Sequence, residues 1–208
     1  MKNRTLGLLG TFVTGVVAQL ALLSGGAVEP EPAPVRHQTL FANDPLRTTL
    51  SFDSGDWGTT ISSNVHVNID SQVSFDIYDV GALTPGIQGG QDGFILDLGT
   101  PAELAAKYGY AETVGQGQGF ASIHFEGDLL MIVKDVQAGV FQPFDDGNRF
   151  LQAPPQSSTH ATPKLGHVYL VKLIDTNDPT WSRVVKLLVS GHRSGESVDL
   201  TWRVLTEG

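Results

Sequence analysis

Two neighbouring segments alternate apolar and polar residues one by one. They are Val65-His66-Val67-Asn68-Ile69 and Val73-Ser74-Phe75-Asp76-Ile77-Tyr78, separated by Asp70, Ser71 and Gln72. A period of two is the period of a pleated strand, so the pair predicts an antiparallel hairpin with one wet face. Runs of similar character recur at 48–52, 94–98, 121–125, 129–133, 168–174, 184–189 and 198–204. No strand-helix-strand rhythm recurs, which disfavours a nucleotide-binding α/β fold. The expected class is all-β: a single-domain antiparallel sandwich or open barrel with one short capped helix near residues 100–109.

That helix announces itself. Thr100-Pro101-Ala102-Glu103 places an N-cap Thr, a Pro at the first helical position and a Glu at the third, ahead of Leu104-Ala105-Ala106-Lys107-Tyr108. Gly109 ends it after about two turns. At the C-terminus, the runs at 168–174, 184–189 and 198–204 are joined by Asp175-Thr176-Asn177-Asp178-Pro179-Thr180 and Gly191-His192-Arg193-Ser194-Gly195, both rich in turn formers, and read as a meander. The first of these runs is apolar on both faces, which places it centrally. In the last, Val198, Leu200, Trp202 and Val204 share one face, so Trp202 is expected in the core, while Asp199, Thr201 and Arg203 take the other.

The N-terminus reads as an export signal. Met1-Lys2-Asn3-Arg4 is a basic start, an apolar stretch follows to Leu23, and Ser24-Gly25-Gly26-Ala27 offers small residues for cleavage after Ala27. An uncleaved membrane anchor is the alternative, because the stretch is near the roughly 17–25 residues that cross a bilayer. The expected organisation is a signal peptide at 1–27, a Pro-rich spacer at 28–39 carried by Glu29-Pro30-Glu31-Pro32-Ala33-Pro34, and a β domain at 40–208 with an exposed loop at 152–165. The expected location is secreted or periplasmic. With no cysteine, neither disulfides nor lipid acylation of a thiol is available, so an ordinary core must hold the domain.

Charge narrows the partners. The chain carries 13 Lys and Arg against 22 Asp and Glu, and without Lys2 and Arg4 the mature protein stands at 11 against 22, a net charge of −11. Such a surface repels polyanions, so nucleic acid is not an expected partner. Lys172, Arg183, Lys186, Arg193 and Arg203 are the only concentrated cations, read as the solvated face of a sheet. A protein or carbohydrate surface remains an open partner, and membrane contact follows only if the N-terminal segment stays uncleaved.

Chemical motifs are sparse. Gly115-Gln116-Gly117-Gln118-Gly119 leads into a strand rather than a helix and reads as a strand connection instead of a phosphate loop. No Gly-x-Ser-x-Gly elbow occurs. Asp70, Asp76, Asp97, Glu126 and Asp128 are the carboxylates from which a glycosidase pair would have to be drawn. Asp53-Ser54-Gly55-Asp56 and Asp145-Asp146-Gly147-Asn148 are local clusters compatible with calcium, though neither matches a twelve-residue calcium loop. His66, His124, His160 and His167 are the candidate metal ligands: the first two lie on polar faces of expected strands, the last two flank a loop. His192 sits in a turn and is expected to be exposed. Zinc would need three or four of such ligands to converge.

Gly166-His167-Val168-Tyr169-Leu170-Val171-Lys172-Leu173, then Arg183-Val184-Val185-Lys186-Leu187 and Ser197-Val198-Asp199-Leu200-Thr201-Trp202, resembles the C-terminal meander of secreted haem-binding proteins of the HmuY-like family. The likeness covers residues 166–205. It implies an exported all-β protein, with haem held by side chains from loops between strands. No ligand pair of that family falls on two positions here, and its common acylated cysteine is missing.

The functional expectation is an exported, non-catalytic binding or structural module. Its alternatives are a haem- or metal-handling carrier and an extracellular hydrolase using paired carboxylates. No cofactor is predicted, with haem and calcium left open.

Overall fold

The computed structural model describes residues 34–62, 66–77, 79–88, 90–110, 122–135 and 137–207. They fall in one compact unit, Pro32–Gly208. The segment read as a leader, 1–27, the start of the segment read as a spacer and the glycine-rich run at 115–119 lie outside the described residues. No helix among the described residues is long and apolar enough to cross a membrane.

In chain order the first strands are β1 (Arg36–Phe41), β2 (Thr49–Leu50), β3 (Thr59–Ser62), β4 (His66–Ile69), β5 (Val73–Phe75) and β6 (Leu83–Pro85). Then come β7 (Gln91–Gly99), helix α1 (Pro101–Tyr108), β8 (Ile123–Glu126), β9 (Leu129–Asp135) and β10 (Val140–Pro143). Helix α2 (Asp145–Gln152), a 3₁₀ turn (Gln156–Ser158), β11 (Val168–Asp175), β12 (Ser182–Arg193) and β13 (Ser197–Glu207) complete the chain. The architecture is β-rich and sandwich-like, not a closed barrel. A five-stranded antiparallel sheet, ordered β1-β13-β12-β11-β7, forms its centre. Two three-stranded sheets, β2-β5-β6 and β10-β9-β8, and the ribbon β3-β4 accompany it.

Strand periodicity gives the central sheet two apolar faces. Tyr169, Val171 and Leu173 of β11, Val185, Leu187 and Val189 of β12, and Val198, Leu200 and Trp202 of β13 share one core with Phe52, Val73, Phe75 and Leu83. Trp202 is 1 % exposed and meets Phe52 at a ring-centroid distance of 6.1 Å, as expected of the last strand. The alternate residues, Val168, Leu170, Val184 and Leu188, build a second core with Leu130 and Ile132 of β9, Leu104 of α1 and Phe150 of α2. The second face of the meander is therefore not solvated: Thr201 and Lys186 are 3 % and 4 % exposed, against the expectation of a wet row. Arg183, also expected in solvent, is buried on the first face and pairs with Asp53.

The hairpin expected between residues 65–69 and 73–78 is not formed. β4 pairs with β3, while β5 is sandwiched between β2 and β6. The physical reason lies in the supposed polar break. Ser71 and Gln72 are fully buried, and Gln72 accepts from Phe52 N at 2.6 Å while donating to Asp53 and Gln88. Its amide thus anchors the 52–56 turn inside the fold, and Asp70 with φ of +63° breaks the strand direction. Ser74, read as wet, is buried as well.

Helix α1 has the expected box: Thr100 Oγ1 accepts from Glu103 N, and Glu103 Oε2 accepts from Thr100 N at 2.7 Å. Gly109 closes it in the left-handed region at φ of +71°. Helix α2 was not expected, since Asp145-Asp146-Gly147-Asn148 reads as a turn. It forms because tertiary contacts override the helix cost of Gly147: a Cβ there would stand 2.7 Å from Leu130 and 2.8 Å from the Phe144 ring. Asn148 then pairs with both backbone groups of Leu130, at 2.9 and 2.8 Å, fixing α2 to β9. β1 begins at Arg36, inside the segment read as spacer, and pairs along its length with β13. The 152–165 segment is exposed along most of its length but is pinned by buried Ser158 and by mutual backbone bonds between Ala161 and Leu83.

Candidate functional site

Where α1, α2 and β8-β9-β10 cover the second face of the central sheet, the described residues line, among others, two clefts of similar size. The first, about 360 Å³, lies between β7, α1 and α2 and has an apolar floor that includes Leu96, Leu98, Leu104 and Phe150. Its rim is charged, and those charges are engaged with one another. Asp97 accepts from Lys164 Nζ at 2.9 Å and from Gly99 N at 2.9 Å, and its Oδ1 stands 2.8 Å from His167 Nδ1. Burial works against this carboxylate, yet the bonds from Lys164 and His167 hold it below the usual carboxylate range. Opposite, Asp146 receives Tyr108 OH at 2.7 Å, Lys107 at 2.6 Å and Arg149 at 2.8 Å. Burial is again outweighed, by Lys107 and Tyr108, so that Asp146 also stays low. Desolvation and the same hydrogen bond push the Tyr108 phenol well up.

The second cleft, about 330 Å³, is bounded by the β8-β9 turn, the C-terminal end of α2 and the ends of β11, β12 and β13. The turn is set by Gly127, whose φ of +58° at its first position suits a two-residue hairpin. Phe125, Leu151 and Val184 supply apolar wall; Asp128, Gln152, Lys172, Ser182 and Thr206 supply polar atoms. Among the described residues, the side chains of Asp128, Gln152, Ser182 and Thr206 make no hydrogen bond to protein. Lys172 donates to the Leu151 carbonyl and has no carboxylate of the described residues within ion-pair distance; burial lowers its pKa. On the adjoining rung of the same sheet face, Lys186 lies opposite Arg203, and burial with the Arg203 charge drives Lys186 down to about 7.

The four candidate histidines are dispersed. His124 stands 3.3 Å from Glu126 and packs edge-on against Phe141, with ring centroids 4.2 Å apart. His160 is 3.5 Å from Asp79, and His167 joins Asp97. His66 belongs to β4, opposite Ser62, and its side chain lies outside the described residues. Among the described residues, no group of three or more His, Asp or Glu stands close enough to share a metal ion. The calcium-compatible clusters are likewise engaged: Asp53 with Arg183 and Gln72, Asp56 with Gln38, Asp146 with its two cations. Of the candidate carboxylates, Asp70 is exposed, Asp76 accepts from Gly81 N, Asp97 lines the first cleft, and Asp128 lines the second. Glu126 lies at the head of the β8-β9 turn and meets His124.

Reading the sequence missed Gln152, Ser182 and Thr206 altogether and placed Lys172 in solvent. The one usable signal was Lys172 itself, a cation in an otherwise apolar run of β11. Comparison of the chain with protein-family models, with curated proteins and with solved structures finds no match.

Proposed function

We propose that this chain is an exported, non-catalytic binding module that takes a small polar molecule into the cleft between the β8-β9 turn and α2. The observation that carries this reading is the contrast between neighbouring clefts. In the first, the carboxylates are met by cations of the protein; in the second, four polar side chains and two protons of the Lys172 ammonium have no partner among the described residues. A cleft of this volume with a few convergent polar groups and apolar walls is the usual form of a small-molecule site.

Catalysis is less well supported by the same groups. Hydrolysis of a glycoside needs one carboxyl held protonated, whereas Asp97 and Asp146 are both held low. Lys172 and Ser182 share the second cleft, but the ammonium donates to the Leu151 carbonyl and not to Ser182, so it does not act on that hydroxyl as a base. Export rests on the leader-like composition of residues 1–27.

Titrating a panel of sugars, amino acids and hydroxy acids into isotope-labelled protein tests the reading. Saturable amide shifts at Asp128, Gln152, Lys172 and Ser182 are expected. A panel that shifts nothing, or shifts only the rim of the first cleft at Lys107 and Arg149, would reject it.

A further inference from the structure

We infer that the cleft between the β8-β9 turn and α2 selects a small polyhydroxylated monocarboxylate, a sugar acid in chemical class, with its carboxylate on Lys172 and its hydroxyls on Gln152, Ser182, Thr206 and Asp128. The inference rests on the binding-module reading and names the ligand of that same site.

Three observations converge on an anionic group. Lys172 is partly withdrawn from water, and its one hydrogen bond among the described residues goes to a neutral carbonyl, that of Leu151 in the last turn of α2. A charge moved out of water is stabilised by a counter-ion, and none of the described carboxylates provides one. On the same sheet face, two strands away, Arg203 adds positive charge.

The same surroundings argue against a phosphate. A dianion prefers a helix N-terminus or the planar fork of an arginine, but this cleft meets the C-terminal, partially negative end of α2 and offers one lysine ammonium. The exposed Asp128 adds a second negative element. One ammonium among the lining groups therefore matches one carboxylate, while Asp128 accepts from hydroxyl donors. The neutral groups Gln152, Ser182 and Thr206 both donate and accept, as a polyol requires. Phe125, Leu151 and Val184 present apolar surface suited to the C–H face of a pyranose ring.

D-glucuronate, D-glucose and D-glucosamine, titrated calorimetrically into the wild-type chain and into Lys172→Met, separate the possibilities. Glucuronate should bind saturably, at least tenfold more tightly than glucose, with glucosamine weakest, and Lys172→Met should lose that tenfold preference. Equal affinity for glucose and glucuronate, or an unchanged preference in Lys172→Met, would overturn the assignment of the anion to Lys172 while leaving the cleft a binding site. Should Lys172→Met not fold, amide-shift mapping of glucuronate on the wild-type protein decides: shifts centred on Lys172, Ser182 and Thr206 support the assignment, and shifts elsewhere refute it. No binding of any of the three refutes the sugar-acid class, and the wider panel above then tells whether the cleft binds anything else.

Discussion

On one face of the central sheet Trp202, Tyr169 and Phe75 are sealed beneath β2-β5-β6, and on the other a buried lysine lies directly opposite an arginine beside two clefts. Both faces come from the same three strands, β11, β12 and β13, read at alternate residues. The first is closed by the small sheet β2-β5-β6, whose Leu50, Val73, Phe75 and Leu83 are buried in the shared core. The second is covered by a sheet and two short helices, elements that differ in shape and leave gaps between them. The largest fully buried side chains, Trp202, Tyr169 and Phe75, stand on the first face, which is expected to carry the larger share of the stability; room for a ligand, and the electrostatic cost that goes with it, is found on the second.

The sharpest way to break this contrast is to truncate the centre of the closed face. Trp202→Ala removes a side chain that is 1 % exposed and leaves a cavity, at an expected cost of about 3–5 kcal/mol in urea or thermal unfolding. A loss well under about 1 kcal/mol would mean that this face does not carry the stability assigned to it.

The open face gives a smaller effect with a distinctive pH dependence. Lys186 has its pKa lowered from 10.5 to about 7 by burial and by Arg203. Below about pH 7 both folded and unfolded states hold the proton, and the folded state bears the full cost of the buried charge. Between about pH 7 and pH 10.5 only the unfolded chain binds it, so stability rises with pH by up to a few kcal/mol across that window. Urea midpoints along a pH series should show the rise in wild type and a flatter curve in Lys186→Met. Parallel curves would place the Lys186 ammonium in contact with water.

The smallest effect belongs to the helix that walls the first cleft. Thr100→Ala removes the acceptor for the Glu103 amide and should cost about 0.5–2 kcal/mol, with Glu103→Ala costing less. If the two variants melt with wild type, the box does not contribute to holding α1 against Leu96 and Leu98, and the first cleft is less rigid than its ion pairs imply.

Legibility in the sequence followed the range of the interactions involved. The box of Thr100 and Glu103, the Gly109 that ends the helix and the two-faced burial of β11 depend on neighbours a few residues away, and each was readable. The pairing of β4 and β5 was misread because alternation specifies which face a residue takes and not which strand lies beside it. Gln72 looked like part of a turn, yet it is buried, with partners at Phe52, Asp53 and Gln88 that are distant in sequence. Helix α2 was hidden by Gly147, whose missing side chain makes sense only against Leu130 and Phe144.

The second cleft was less legible still. Lys172, Ser182 and Thr206 stand on three strands, Asp128 on a turn and Gln152 at a helix end, and no spacing in the chain connects them. What the sequence by itself determined was the class of structure: period-two alternation and turn residues act locally, and they require strands, a meander and one capped helix. Only the tertiary structure decided what covers each face of the central sheet, because burying an apolar surface is non-directional and many partners satisfy it equally well. That choice put Lys186 and Arg203 under cover, engaged the charges of one cleft with each other, and left those of the other facing open space.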